Sequence, residues 1–140
     1  MRLRRFIAPA VIAAAAVFGF AAPAMAGSPH FVGTPTFTTS GSTITVSAKE
    51  AGLGDEAQIH VVLSADALCI NNGGNHPKAV NKTTVTAAAD EPVQNGKSDY
   101  TLTATAVFQP ACSPPMTVQF QNVTLTDTTN GLTATPVPAP

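Results

Sequence analysis

Apolar and polar residues alternate with a period of two over most of the chain after residue 26. In 44–48, 59–69 and 100–108, apolar residues hold one parity, and the positions between them are mostly Thr, Ser, His or Asp. This alternation indicates strands with one buried and one solvent-facing side, as antiparallel sheets have. Seven segments carry this pattern or a weaker form of it: 36–38, 44–48, 59–69, 83–89, 100–108, 116–126 and 132–135.

Turn-forming residues separate these segments, among them Asn95-Gly96, Pro114-Pro115 and Asn130-Gly131. Short strands divided by such turns predict an all-β fold, a single antiparallel β-sandwich of immunoglobulin-like size with about seven strands. A small closed β-barrel is the alternative. We expect the sandwich domain to span residues 27–135, followed by an extended, loose Pro/Ala-rich tail over 136–140.

The alternation slips once inside a predicted strand. Val118 and Phe120 share one parity, whereas Val123 and Leu125 share the other. One extra residue in one strand of a pair produces this shift, so the pattern predicts a β-bulge near Asn122.

The first 26 residues form an export signal. Three arginines within the first five positions precede an uncharged apolar run over 7–22, and Ala24-Met25-Ala26 supplies the small residues of a cleavage site. We expect cleavage between Ala26 and Gly27, Sec-type export rather than the twin-arginine route, and a secreted, extracellular mature chain. A retained N-terminal anchor is the alternative; after cleavage no stable membrane anchor remains.

Removal of the signal changes the charge balance. It takes away all three arginines and leaves four lysines against eight acidic residues, a formal charge of −4. Phosphate recognition uses Arg forks or clustered basic residues, so this composition excludes nucleic acid as an expected partner.

The chain has two cysteines, Cys69 and Cys112. Two cysteines in an exported chain most often form one bridge, and strands that run up, down and up would bring these two to the same end of the sandwich. A free thiol nucleophile is the alternative, but no His and acid pairing accompanies either cysteine.

The segment 69–82 has the most unusual composition of the chain, with four Asn, a Gly pair, one His and two Lys. Such residues could line a polar pocket for a sugar or a small anion. The structural alternative is a long connection that uses Gly and Asn for turns with positive φ. The candidate ligand residues are Asn71, Asn75, His76, Lys78, Asn81 and Lys82.

Other polar groups predict no catalytic or metal centre. The three histidines lack metal-ligand spacing, and no Ser-His-Asp set is visible. Lys49-Glu50 and Asp55-Glu56 flank a Gly-rich turn and are interpreted as a solvated hairpin end, while 127–131 is interpreted as a turn or a weak calcium loop. We therefore expect no cofactor and no enzymatic activity.

Several motifs resemble a group of small exported actinomycete proteins. They are Ser-Pro-His-Phe-Val-Gly at 28–33, Lys-Glu-Ala-Gly-Leu-Gly at 49–54, Cys-x-Asn-x-Gly-Gly-Asn-His-Pro-Lys at 69–78 with Asn81-Lys82, and Asp-Thr-Thr-Asn-Gly at 127–131. The resemblance covers nearly the whole mature chain. It implies an exported compartment and a strand-rich architecture, and it supplies no catalytic residues.

These observations together predict a non-enzymatic extracellular binding or cell-envelope interaction module, whose partner is an extracellular ligand or an envelope component. Two alternatives stay open. One is a carrier that sequesters a small apolar molecule between the sheets. The other is an inhibitor of an extracellular enzyme, acting through the exposed loop at 70–82 or 109–115.

Overall fold

The computed structural model of the protein describes residues 27–71 and 78–140. Its regular elements are all strands, and two of them, the first and the last, have no counterpart in the predicted set. The strands are β1 (His30–Phe31), β2 (Thr36–Ser40), β3 (Thr43–Ala51), β4 (Gln58–Asn71), β5 (Lys78–Pro92), β6 (Lys97–Thr105), β7 (Thr117–Asp127), β8 (Leu132–Ala134) and β9 (Val137–Pro138).

The strands form two sheets that pack face to face, which confirms the predicted β-sandwich. In sheet A, β3 pairs with β1 and β2 along one side and with β6 along the other, and β9 extends the sheet beyond β2. Sheet B has the order β5-β4-β7-β8. Every pairing is antiparallel except that of β2 with β9.

The inward parity of the strands builds one hydrophobic core. Ile44 from sheet A packs with Leu63 and Leu125 from sheet B, and all three side chains are 0% exposed. Burial of large aliphatic side chains from both sheets is the main force that holds them together, at about 25 cal/mol for each Å² of apolar surface removed from water.

The hairpin of β4 and β5 is longer than the sequence predicted. Asn71 pairs with Lys78, so the strands continue through most of the segment expected to be a loop over 70–82. A strand side that faces water accepts Asn and Lys without an energetic penalty, which is why polar composition did not mark the strand ends. The connection outside the described residues is 72–77.

The predicted bulge is present in β7. Ser64 pairs with Thr124 and Asp66 pairs with Gln121, which leaves one extra residue on the β7 side. Asn122 takes up the extra length with a φ of 52°. Asn tolerates this left-handed conformation better than most residues.

The C-terminal tail is not loose, contrary to expectation. The N–H of Val137 donates to Pro35 O at 3.0 Å, and the N–H of Ala139 donates to Phe37 O at 2.9 Å. Prolines at 136, 138 and 140 alternate with these donors, so the proline nitrogens, which carry no hydrogen, point away from β2. The alternation lets a Pro-rich segment dock as an edge strand.

The predicted disulfide is present between Cys69 and Cys112, whose Cα atoms lie 5.7 Å apart. It joins the end of β4 to the connection between β6 and β7. The bridge is compatible with an extracellular protein. No helix long and apolar enough to cross a membrane occurs in 27–71 or 78–140.

Candidate binding surface

The outer side of sheet A carries a regular array of hydroxyl groups, which we call the hydroxyl face. Three adjacent strands each present three Ser or Thr side chains on this side, and the strand registers align them in three rows. The rows are Thr36, Ser47 and Thr101; Thr38, Thr45 and Thr103; and Ser40, Thr43 and Thr105.

Hydrogen bonds order the array across β3 and β6. The hydroxyl oxygens of Thr43 and Thr105 are 3.1 Å apart, as are those of Thr45 and Thr103. Neighbouring rows repeat at about 6.8 Å along the strands, and neighbouring strands at about 4.8 Å. Each hydroxyl can donate one hydrogen bond and accept others, so the paired oxygens keep capacity for a ligand.

A groove begins where the hydroxyl face ends. The next outward-facing pair on β3 and β6 is Lys49 and Asp99, which form an ion pair of 3.4 Å. Both line a groove of about 560 Å³ at the β1 end of sheet A, together with Val32 and Lys97. Polar hydroxyls and a partly charged groove therefore form one continuous surface.

The outer side of sheet B differs from the hydroxyl face because charged side chains lie among its polar residues, and these charged groups contact one another. Asp66 accepts hydrogen bonds from Asn122 Nδ2 at 2.9 Å and Thr84 Oγ1 at 3.0 Å, and it pairs with Lys82 Nζ at 3.1 Å. Hydrogen bonds from Asn122, Lys82 and Thr84 lower the pKa of the Asp66 carboxyl. His60, expected on the solvent-facing side, lies there and contacts Asp90 at 2.7 Å.

The candidate ligand residues of 69–82 take separate places. Asn71 ends β4 on the surface, Asn81 Nδ2 donates to Gln109 O at 3.2 Å, and Lys82 pairs with Asp66 on the outer side of sheet B. Asn81 lines a cavity of about 250 Å³ beside Cys69. Asn75 and His76 lie outside the described residues, and for Lys78 only the backbone position in β5 is described.

Glu50 does not lie at a solvated hairpin end, contrary to expectation. Its side chain is 1% exposed and occupies an inward position of β3, where it accepts a hydrogen bond from the Tyr100 hydroxyl. Burial raises the pKa of Glu50 to about 7, the Tyr100 bond opposes this rise, and the nearby Asp127 carboxyl adds to it. The alternation contains the signal that this interpretation missed, because Glu50 shares the parity of Ile44 and Val46.

The Asp127 side chain forms hydrogen bonds within the turn at 127–131. Asp127 Oδ1 accepts hydrogen bonds from the N–H groups of Thr129, at 2.8 Å, and Asn130, at 3.2 Å. The Asn130 amide donates to Asp127 Oδ2 at 2.7 Å and to Glu56 Oε2 at 3.1 Å. Within the described ranges, no group of three or more His, Cys, Asp or Glu side chains is arranged to hold a metal ion.

Sequence reasoning did not single out the hydroxyl face. A local signal exists, because Thr-x-Thr occurs at 36–38, at 43–45 and twice within 101–105. The motif alone is ordinary for strands with one wet side. Only the pairing of β2, β3 and β6 brings the Thr-x-Thr motifs of these three strands together as one surface.

Comparison with known proteins adds no assignment to this surface. Neither a protein-family model, nor a curated protein, nor a solved structure matches the chain.

Proposed function

We propose that the protein is a non-enzymatic extracellular binding module whose ligand is a hydroxyl-rich polysaccharide of the cell envelope. The observation that carries the proposal is the hydroxyl face, nine Ser and Thr side chains in register over three strands. Sugar hydroxyls both donate and accept hydrogen bonds, as do the hydroxyls of this face.

The physical properties of the face support a repetitive, uncharged ligand. None of the nine side chains carries a charge, and the sheet holds their backbone positions rigidly, which lowers the entropy lost on binding. Each hydrogen bond exchanged with water contributes only about 1 kcal/mol. Affinity therefore needs several contacts at once, which a polymer with repeated hydroxyls supplies.

Isosteric substitution tests the proposal. Thr38→Val, Thr45→Val and Thr103→Val together remove the middle row of hydroxyls but keep the β-branched shape of each side chain. We expect affinity for cell-wall polysaccharide, measured by co-sedimentation with purified walls, to fall about tenfold or more. Thermal unfolding of the triple variant checks that the fold is intact.

The matched control is the other sheet. Thr126 and Thr133 form a similar cross-strand pair on β7 and β8, with hydroxyl oxygens 3.5 Å apart. Thr126→Val with Thr133→Val should leave wall binding unchanged. Equal binding by the wild type and the triple variant, or equal losses in both sets of variants, would reject the hydroxyl face as the binding surface.

We also propose that the mature protein is secreted after cleavage between Ala26 and Gly27. The leader pattern in the sequence supports this, and the Cys69–Cys112 bridge is compatible with an oxidising compartment. N-terminal sequencing of protein from the culture fluid should begin at Gly27. Recovery of the chain with Met1 in the membrane fraction would contradict the assignment.

Inhibition of an extracellular enzyme is a second candidate, supported by the connection between β6 and β7. Cys112 ties the middle of this connection to β4, and Asn81 holds Gln109 by a hydrogen bond. Exposed residues such as Pro110 and Pro114 are thus presented on an anchored loop. Protection of 109–115 from proteolysis by added extracellular proteases, with loss of protease activity, would favour this function over wall binding.

The carrier alternative has less support. The space between the sheets is occupied by core side chains such as Ile44 and Leu125, both fully buried. A ligand held there would have to displace them.

A further inference from the structure

The outer edge of β5 is an extended stretch of unpaired backbone. Within the part of the chain that the structure describes, β5 pairs with β4 alone and is the first strand in the order of sheet B. Residues 83–89 contain no charge, no Pro and no Gly. Unpaired N–H and C=O groups along such an edge are a template for another strand.

The edge strands β9, β8 and β6 are less suitable for such pairing. Prolines at 136, 138 and 140 remove donors from the outer side of β9, and β8 has only three residues. β6 has nine residues, but its charged residues, Lys97 and Asp99, lie together at one end. They therefore do not bound an uncharged stretch on both sides, as the charges of β5 do. β5 is the longest strand, and its central uncharged stretch is bounded by opposite charges, Lys82 and Asp90.

We infer that two copies of this chain pair antiparallel along β5 and form one continuous sheet across a two-fold axis. If Thr86 of each copy lies opposite Thr86 of the other, residue 82 of one copy lies opposite residue 90 of the second. Lys82 then faces Asp90 of the second copy on both sides of the axis. The charges that bound the uncharged stretch select this register, because opposite charges across a strand pair stabilise it.

The side chains on β5 fit this arrangement. Lys82, Thr84, Thr86, Ala88 and Asp90 are exposed on the outer side of sheet B, so they meet their counterparts on one side. Thr84 faces Ala88 of the second copy, and the small alanine side chains leave room for the two strands to approach closely. Lys82 already forms an ion pair with Asp66, and Asp90 already forms a hydrogen bond with His60, so the dimer joins these two contacts into one line. A self-complementary patch of this kind is typical of a two-fold interface.

Position 86 gives a sharp test, since the two-fold axis places it opposite itself. In protein purified after expression of the full chain, sedimentation velocity should show a dimer. Thr86→Lys and Thr86→Glu should each raise the dimer dissociation constant about tenfold or more through like-charge repulsion. A mixture of the two variants should restore a dimer that native mass spectrometry identifies as mixed.

Thr133→Lys on β8 is the matched control, because Thr133 is also an exposed Thr on an edge strand of sheet B and lies outside the hydroxyl face. It should leave the dimer unchanged, and circular dichroism should show that all three variants are folded. A monomeric wild type, dimers that persist in both position-86 variants, dissociation by Thr133→Lys alone, or a variant mixture that fails to reassociate would each overturn the inference.

Discussion

The Tyr100 hydroxyl donates a hydrogen bond to the Glu50 carboxyl inside the sandwich, beside the apolar core. The other carboxyl oxygen, Glu50 Oε2, is buried and has no hydrogen-bond donor. Asp127, at the end of β7 in the opposite sheet, lies near Glu50, and its carboxyl helps to raise the pKa of Glu50. Glu50 and Asp127 thus form an electrostatic link between the sheets.

This link makes stability depend on pH. Burial raises the pKa of Glu50 from 4.5 to about 7, so the folded state binds more protons than the unfolded state between these values. The stabilisation is complete below pH 4.5 and is lost as the pH rises through 7, by up to about 3 kcal/mol. Urea unfolding across this range measures the loss.

Glu50→Gln is the control for this dependence. Its amide oxygen can accept the hydrogen bond from Tyr100, and the amide does not titrate. The free energy of unfolding of the variant minus that of the wild type should grow between pH 4.5 and 7. A constant difference over this range would show that Glu50 titrates normally.

Gly52 allows the segment before β1 to approach the chain just after β3 closely. Its φ is +73°, and a Cβ there would lie 2.2 Å from Ser28 O. Gly52→Ala should therefore cost roughly 3 kcal/mol of stability, from backbone strain and from the clash. Chemical denaturation measures the loss, and amide exchange should increase at Val32, whose N–H donates to Lys49 O.

Gly33 separates these two effects. Its φ is +74°, but nothing lies within 4 Å of an added Cβ. Gly33→Ala should cost only the backbone strain, about 1 kcal/mol. Equal losses at the two glycines would show that the close contact with Ser28 has no energetic weight.

Asn122 combines a bulge conformation with a hydrogen bond to Asp66. Asn122→Gly keeps the positive φ and loses the bond, so we expect a loss of about 1 kcal/mol or less. Asn122→Val also forces a β-branched residue into that conformation, which adds about 2 kcal/mol. Thermal unfolding of both variants tests the order; equal stability would mean that the bulge can shift elsewhere in β7.

The Cys69–Cys112 bridge closes a loop with a sequence separation of 43. Cys69→Ala with Cys112→Ala should lower the free energy of unfolding by up to about 4 kcal/mol in the chain-entropy model. Amide exchange should increase first in the connection between β6 and β7, before the central strands open. Unchanged exchange there would show that other contacts hold the connection, and reductant should have no effect on the double variant.

Local pattern was sufficient to predict the two-sided strands, the bulge at Asn122 and the paired cysteines. The strands and the bulge depend only on neighbouring residues, and the disulfide prediction depends on the number of cysteines. The alternation assigns each residue to one side of its strand, and one slip in the alternation locates the extra residue. The prediction for Glu50 was wrong because it followed the charge of the residue, although extending the alternation by one more step from Ala48 puts position 50 on the inward side. The strand ends were predicted less accurately, because Asn71 and Lys78 are as acceptable on the solvent-facing side of a strand as in a loop.

Tertiary structure alone decided which strands became neighbours. Thr45 and Thr103 are 58 residues apart in sequence, and only the order of sheet A brings their hydroxyls together. The docking of β9 likewise required the free edge of β2. Periodicity specifies the side on which a residue lies but not the strand beside it, because strand order and register depend on pairing and packing across the whole chain.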